Sequence, residues 1–259
     1  MVRSRTTLIH ETDGIAVFDF ACAARRGECG GDEAIGADQI VLPYHGHFTW
    51  RSGTREHVGS PVDGLWCRRG HGYRVAHPVC GGDRCTVVVR RAGSSRRGED
   101  GRDLAAFAAD AALHLAHRRL RHTLASAHDT LAKDEAVAAF ATRLPCSPSH
   151  ALPPATRAVT AARELLHATV CEPLDLAAIA AAAGASPHHL ARSFHAAVGM
   201  PMHRYRLALR VRAALEAVLA GQHDLTALAL QLGFCDHAHL TRVFKRHFGS
   251  PPSTLRGRP

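Results

Sequence analysis

The sequence predicts an α+β fold, with a small β-barrel domain at the start and an all-α end built from two copies of one helical unit. Three observations carry this. The first hundred residues set short apolar runs between Gly, Pro and Asp clusters. The composition then turns to Ala, Leu and His. The last third contains an internal repeat.

In chain order, residues 14–20, 39–42 and 85–89 (CTVVV) are short apolar runs of strand length bounded by turn residues. Several short strands at such spacing suit a small barrel or sandwich. Residues 92–102 (AGSSRRGEDGR) form a polar break, so a first domain over 1–99 is expected. Leu104, Phe107, Ala111 and Leu115 then fall on one helical face, and Leu120, Leu124, Ala127 and Leu131 repeat the pattern. A helical segment over 100–144 would pack on the β module or on a second copy of itself, as a dimer contact. Residues 144–154 (LPCSPSHALPP) hold four Pro in eleven positions, which breaks helix and makes 145–154 a linker. Residues 155–259 form the last domain.

Charge is unevenly placed. The chain carries 32 Lys+Arg against 23 Asp+Glu, a formal +9, and residues 155–259 hold 12 of the bases but only 6 of the acids. No acidic residue lies between Asp175 and Glu216, where Arg192, Arg204, Arg206, Arg210 and Arg212 all fall. A basic stripe on a compact helical segment attracts polyanions, because each neutralised phosphate releases a counterion. An apolar fraction of 46% supports ordinary cores. No apolar run is long enough to span a bilayer, and residues 1–13 lack the apolar stretch of a signal peptide. Eight Cys without a dense framework suit a reducing compartment, so a cytoplasmic location without membrane contact is expected.

The repeat is the most informative feature. Gly184 matches Gly233 at an offset of 49, while Leu190, Arg192, Phe194, Gly199 and Pro201 match Leu240, Arg242, Phe244, Gly249 and Pro251 at an offset of 50. The extra residue falls in a turn, where insertion is cheapest. Each copy has the parts of a helix-turn-helix. Leu176, Ile179, Ala180 and Ala183 make one apolar face, as do Leu225, Leu228, Ala229 and Leu232. Gly184 and Gly233 suit a left-handed helix end. Ser186 before Pro187, and Asp236, suit the start of a second helix. Residues 202–219 predict a joining helix with Leu207, Val211, Leu215 and Val218 as its spine. Eighteen residues span roughly 27 Å at ~1.5 Å per residue. With the flanking helices, that length allows two recognition helices to sit about one DNA turn, ~34 Å, apart.

These residues (LDLAAIAAAAGASPHHLARSFHAAVG, HRYRLALRVRAALEAVL and DLTALALQLGFCDHAHLTRVFKRHFGSPPSTLR) resemble the AraC/XylS family of bacterial transcription regulators over about 155–258. Leu255 departs from the family's usual Tyr, and the Ala run 177–183 is blander than usual. The resemblance implies a sequence-specific regulator whose recognition helices, about 187–197 and 237–247, enter successive major grooves of promoter DNA. It places base contacts on His188, Ala191, Arg192 and His195, and on His237, Ala238, His239, Thr241 and Arg242. Lys245, Arg246 and the helix starts at Ser186 and Asp236 suit phosphate contacts. Arg can bridge guanine O6 and N7, whereas Ala191 and Ala238 supply little polar readout.

The N-terminal part bears a weaker resemblance to a cupin-type barrel, which implies a sensing domain and a homodimer, with RNA polymerase as a further partner. Tyr44-His45-Gly46-His47 contains an H-x-H, with Glu56, His57, His71 and His77 downstream. Imidazoles two apart on a strand share a face, so His45 and His47 are candidate metal ligands, although no metal or other cofactor is assigned. Cys22, Cys29, Cys67, Cys80 and Cys85 are irregularly spaced without a C-x-x-C, which argues against a zinc ribbon and against an alkyl-acceptor domain. Cys80 and Cys85 flank a Gly-Gly turn and are the pair to examine for redox sensing. The effector, small-molecule or redox, is not legible. The alternative from another class is a DNA-binding module fused to a metal-dependent cupin enzyme or an alkyl-transfer activity, for which no catalytic signature is present; a non-enzyme is expected.

Overall fold

The computed structural model describes residues 4–23, 33–53, 55–77, 82–91, 104–145, 153 and 155–255. Cys29, Cys80, the polar break 92–102 and most of the proline-rich stretch lie outside them.

Among the described residues, strands β1 (Ser4–Glu11), β2 (Ile15–Cys22), β3 (Glu33–Ala34), β4 (Gln39–His45), β5 (Phe48–Ser52), β6 (Arg55–Gly59), β7 (Asp63–Cys67), β8 (Gly72–Ala76), β9 (Asp83–Arg90) and β10 (Leu104–Ala108) form two sheets. One has the order β1-β2-β9-β4-β7-β10, the other β3-β8-β5-β6, and the neighbouring strands run antiparallel. Strand β4 reads as an unbroken apolar run because both of its faces are covered. Val41 joins Phe48, Trp50, Leu65 and Cys85 in a core between the sheets. Its neighbours Ile40 and Leu42 point the other way, with Val17, Trp66 and Val88, onto a helical hairpin.

That hairpin is α1 (Ala111–Ser126) and α2 (Thr130–Ala141). It corrects the sequence reading in two places. Residues 104–108 are not helical: LAAFA pairs with β7 from Leu104 opposite Cys67 to Ala108 opposite Asp63. Phe107 lies over Gly64, where any Cβ would collide with its ring. A Leu-Ala-Ala-Phe-Ala run satisfies either period, and the unpaired edge of β7 decides it. The expected stripe 120–131 is also broken. Asp129 caps α2 through a 3.1 Å bond from the Leu131 N–H, so α1 ends at Ser126 and Leu131 is left 63% exposed.

Helices α3 (Arg157–Ala168), α4 (Leu176–Ala182), α5 (Pro187–Val198), α6 (Met202–Leu219), α7 (Leu225–Gln231), α8 (His237–Phe248) and α9 (Pro252–Leu255) form the C-terminal part. The joining helix spans the predicted residues. Asp175 and Asp224 cap α4 and α7, and Ser186 and Asp236 cap α5 and α8. Gly199 and Gly249 stop α5 and α8 at φ 76° and 80°. Helix α6 serves two cores. Tyr205, Ala208 and Leu209 pack with Leu190 and Phe194, whereas Val211, Leu215 and Val218 pack with Leu240 and Phe244.

The N- and C-terminal parts meet through buried polar groups. Arg163 of α3 pairs with Asp63 at the start of β7, and its Nε donates to the Tyr205 hydroxyl at 3.1 Å. Burial is the largest single influence on Arg163 and opposes its charge, but Asp63 and the Tyr205 hydroxyl together outweigh it and raise the guanidinium pKa. The His47 ring stacks on His167 of α3 at 4.4 Å. Arg212 of α6 donates to the Ala109 carbonyl. Helix α1 also packs toward the second helical unit, with His114 near Phe248 and Arg118 3.3 Å from Glu216. Around Tyr44, His47, His114, His167, Arg212 and Glu216 a cavity of about 610 Å³ opens between the two parts.

These histidines give a pH prediction. Burial holds His117 down to about 3, and burial holds His114 and His167 well below the usual imidazole range. The unfolded chain therefore binds more protons below the ordinary histidine pKa, so stability is full above about pH 6.5 and falls as pH drops toward 3. Each such group contributes up to about 1.4 kcal/mol per pH unit within its window. Urea unfolding at pH 7.5, 6 and 5 checks this, and a flat profile would mean that the rings are hydrated.

Candidate nucleic-acid interface

Each helix-turn-helix unit is built by the same local rules. In α5, Leu190, Phe194, Ala197 and Val198 are buried; in α8, Leu240, Phe244 and Phe248 are. The opposite stripe is therefore solvent-facing. On α5 it carries His188, Arg192 and His195, spaced i, i+4, i+7, and all three are exposed. On α8 the positions fifty residues on are Ala238, Arg242 and Lys245, again all exposed. The two helices thus present matched faces with an arginine at the same place in each. Arg246 and His237 are also exposed on α8.

Three of the twelve residues read from the sequence are half-buried. Ala191 and Thr241 occupy equivalent positions, and the Thr241 hydroxyl is enclosed without a protein partner in a crevice shared with Thr226 and Pro252. His239 is tied into its own turn. Its N–H donates to Asp236 at 2.5 Å, its Nδ1 accepts from the Cys235 N–H at 3.4 Å, and its ring sits edge-on to Phe234. At the helix starts, Ser186 is exposed and its hydroxyl accepts from the His189 N–H at 3.4 Å. Asp236 already puts a carboxylate where a phosphate would sit on α8.

The basic stripe between residues 192 and 212 is divided by the fold. Arg192 and Arg204 are exposed. Arg206 and Arg210 instead reach back to the Val170 carbonyl, at 3.2 and 2.7 Å. Arg210 also donates to the Gly233 carbonyl at 2.7 Å, joining the α3–α4 connection to the turn of the second unit. Gly233, at φ 73°, has room for no Cβ there, because the Cys171 carbonyl and the Arg210 guanidinium lie against it. Arg212 is buried, and burial lowers its pKa to about 10. Spacing alone does not separate these roles, since the decisive partners are backbone carbonyls.

The N-terminal candidates are placed differently from the expectation of one chelating pair. Strand β4 ends at His45, Gly46 turns the chain at φ 70°, and β5 starts at Phe48. His45 is exposed, whereas His47 is 4% exposed against His167. The alternation of a continuous strand does not apply across that turn. Cys67 and Cys85 are buried, and burial pushes both thiols well above their usual pKa, the reverse of what a reactive thiolate needs. Sequence reasoning missed the junction groups Asp63, Arg163 and Tyr205.

Comparison with known proteins bears on the same C-terminal helices. Residues 179–258 match the family model of a helix-turn-helix domain. The chain is 35% identical over 103 residues to the HTH-type transcriptional regulator GlxA of Rhizobium meliloti, covering 39% of this chain and 31% of that protein. It is 32% identical over 116 residues to the HTH-type transcriptional regulator RipA of Corynebacterium glutamicum, covering 45% of this chain and 34% of that protein. The chain therefore spans about a third of the length of these relatives. A solved AraC-type transcriptional regulator from Chromobacterium violaceum is 28% identical, with 39% of this chain and 94% of that chain covered and a TM-score of 0.37. Residues 179–258, which contain both α5 and α8, match a helix-turn-helix domain.

Proposed function

We propose that this protein is a sequence-specific DNA-binding transcription regulator in which α5 and α8 enter successive major grooves of double-stranded promoter DNA. The observation that carries the reading is the pair of matched exposed faces, His188-Arg192-His195 and Ala238-Arg242-Lys245, within a helix-turn-helix domain. Arg192 and Arg242 take guanine edges, Lys245 and Arg246 take phosphates, and Ala191, Ala238 and Thr241 supply apolar contact at most. Their arrangement depends on α6, whose two ends belong to different cores.

The N-terminal sheets, β10 at Leu104–Ala108 included, serve as a small cupin-like sensing domain, and the α1–α2 hairpin supplies a contact between two copies. Residues 145–154 link this part to the DNA-binding domain at 155–259. A signal received there reaches DNA as a population shift in how the recognition helices are presented, through the Asp63–Arg163 and His47–His167 junction. Contact with RNA polymerase and a cytoplasmic location follow from this role. Among the described residues no helix is long and apolar enough to cross a membrane.

The test is selection of bound sequences from random DNA by the full chain, followed by affinities of Arg192→Ala and Arg242→Ala for the selected site and for random DNA. Each substitution is expected to weaken specific binding by about 1–3 kcal/mol, roughly 5- to 150-fold, with a smaller loss on random DNA. Equal losses on both would assign these arginines to phosphates. Enrichment of no motif would overturn sequence-specific regulation.

A further inference from the structure

The end of β2 and the start of β9 hold a cluster that the DNA-binding reading does not use. Cys22 and Asp83 are directly opposite in the antiparallel pair, so their side chains share a face. Gly82, at φ 66°, packs on the Cys22 backbone so closely that any Cβ would collide with the Cys22 carbonyl oxygen. His77, the residue after β8, faces the pair: its Nε2 lies 2.6 Å from Asp83 Oδ1. The donor atoms of Cys22, His77 and Asp83 lie within 4.8 Å of one another, and all three residues are buried. Cys85, two residues along β9, donates to the other Asp83 oxygen at 3.2 Å and so holds the carboxylate from behind.

Two features suit this cluster to a cation. His77 is 3% exposed, and its Nδ1 has no protein partner, so a buried ring nitrogen is available. Among the described residues, the side-chain hydrogen bonds of the buried Asp83 carboxylate come from an imidazole and a thiol, with no Arg or Lys among them. We propose that Cys22, His77 and Asp83 bind a borderline-soft divalent transition-metal ion of the zinc class. Thiolate, imidazole and carboxylate together match zinc, whereas magnesium and calcium require oxygen donors. Three protein ligands leave one tetrahedral position for a water or a small ligand. The cluster also lies within electrostatic reach of His47, whose ring stacks on the first helix of the C-terminal part.

Cobalt(II) titration of the full-length, chelator-treated protein tests the site. One equivalent is expected to give a thiolate-to-cobalt charge-transfer band with tetrahedral visible bands, all bleached by zinc. Cys22→Ser should abolish the charge transfer, while Cys67→Ser and a Cys171→Ser/Cys235→Ser variant should retain it. No band in the wild type, or a band that survives Cys22→Ser, overturns the proposal. Should Cys22→Ser fail to fold, X-ray absorption of the zinc-loaded wild type decides. A shell with a single sulfur among nitrogen and oxygen donors supports the assignment, and an all-nitrogen/oxygen or sulfur-only shell overturns it.

Discussion

Arg163→Ala is expected to lower the unfolding free energy of the full chain by about 3–5 kcal/mol, because it strands the Asp63 carboxylate in the interior. The two side chains are 4% and 2% exposed, so water cannot replace the lost partner. The loss extends beyond the ion pair. Arg163 also donates to the Tyr205 hydroxyl, and the Ser60 hydroxyl donates to Asp63 at 2.5 Å. Asp63 belongs to the N-terminal sheet while Arg163 and Tyr205 belong to the C-terminal helices, so the same substitution loosens the contact between them. Urea denaturation checks the magnitude. The double variant Asp63→Leu/Arg163→Met should recover much of the loss, since removing both charges leaves no unpaired ion. A single-variant loss below about 1 kcal/mol would mean that the pair behaves as a hydrated surface bridge.

Phe244→Ala is expected to cost about 3–5 kcal/mol, and Phe194→Ala about the same, by leaving cavities in fully buried sites. Both rings are 0% exposed. The distinguishing outcome is where the damage appears. Phe244 stacks edge-on to Phe248 at 4.8 Å in the core that also receives Ala111 and Leu115 of α1. Phe194 meets Tyr205 at 5.4 Å in the other core. Hydrogen exchange should therefore rise in α7, α8 and the start of α1 for Phe244→Ala, and in α3, α4 and α5 for Phe194→Ala. Uniform acceleration in both variants would show that α6 couples the two units into one cooperative block.

Much of the C-terminal part was legible in the sequence because its signals are local. Apolar spacing defined the buried stripes, Gly199 and Gly249 with the following Pro defined the stops, and the offset change from 49 to 50 located the longer turn. Those signals need only a helical period and a cap. The same stretch misled where partners are remote. Arg206, Arg210 and Arg212 look like members of a DNA-facing stripe, yet their guanidinium groups hold the Val170, Gly233 and Ala109 carbonyls.

The N-terminal part was legible only in outline. Residues 104–108 carry a pattern that fits a helix as well as a strand, and the open edge of β7 selects the strand. His45 and His47 look like a chelating pair until Gly46 turns the chain between them. The closely grouped donors are instead Cys22, His77 and Asp83, brought together by strand register and by a glycine that lets two backbones touch. The sequence by itself determined the two helix-turn-helix units, the Ser186 and Asp236 caps, the joining helix and the arginine that α5 and α8 each expose, because these depend on residues within a few turns of one another. Only the tertiary structure decided that Arg206, Arg210 and Arg212 turn to backbone carbonyls, how Asp63 meets Arg163, and which histidines and cysteines share a buried site. Those outcomes depend on register and packing between segments far apart in the chain, where no local period carries information.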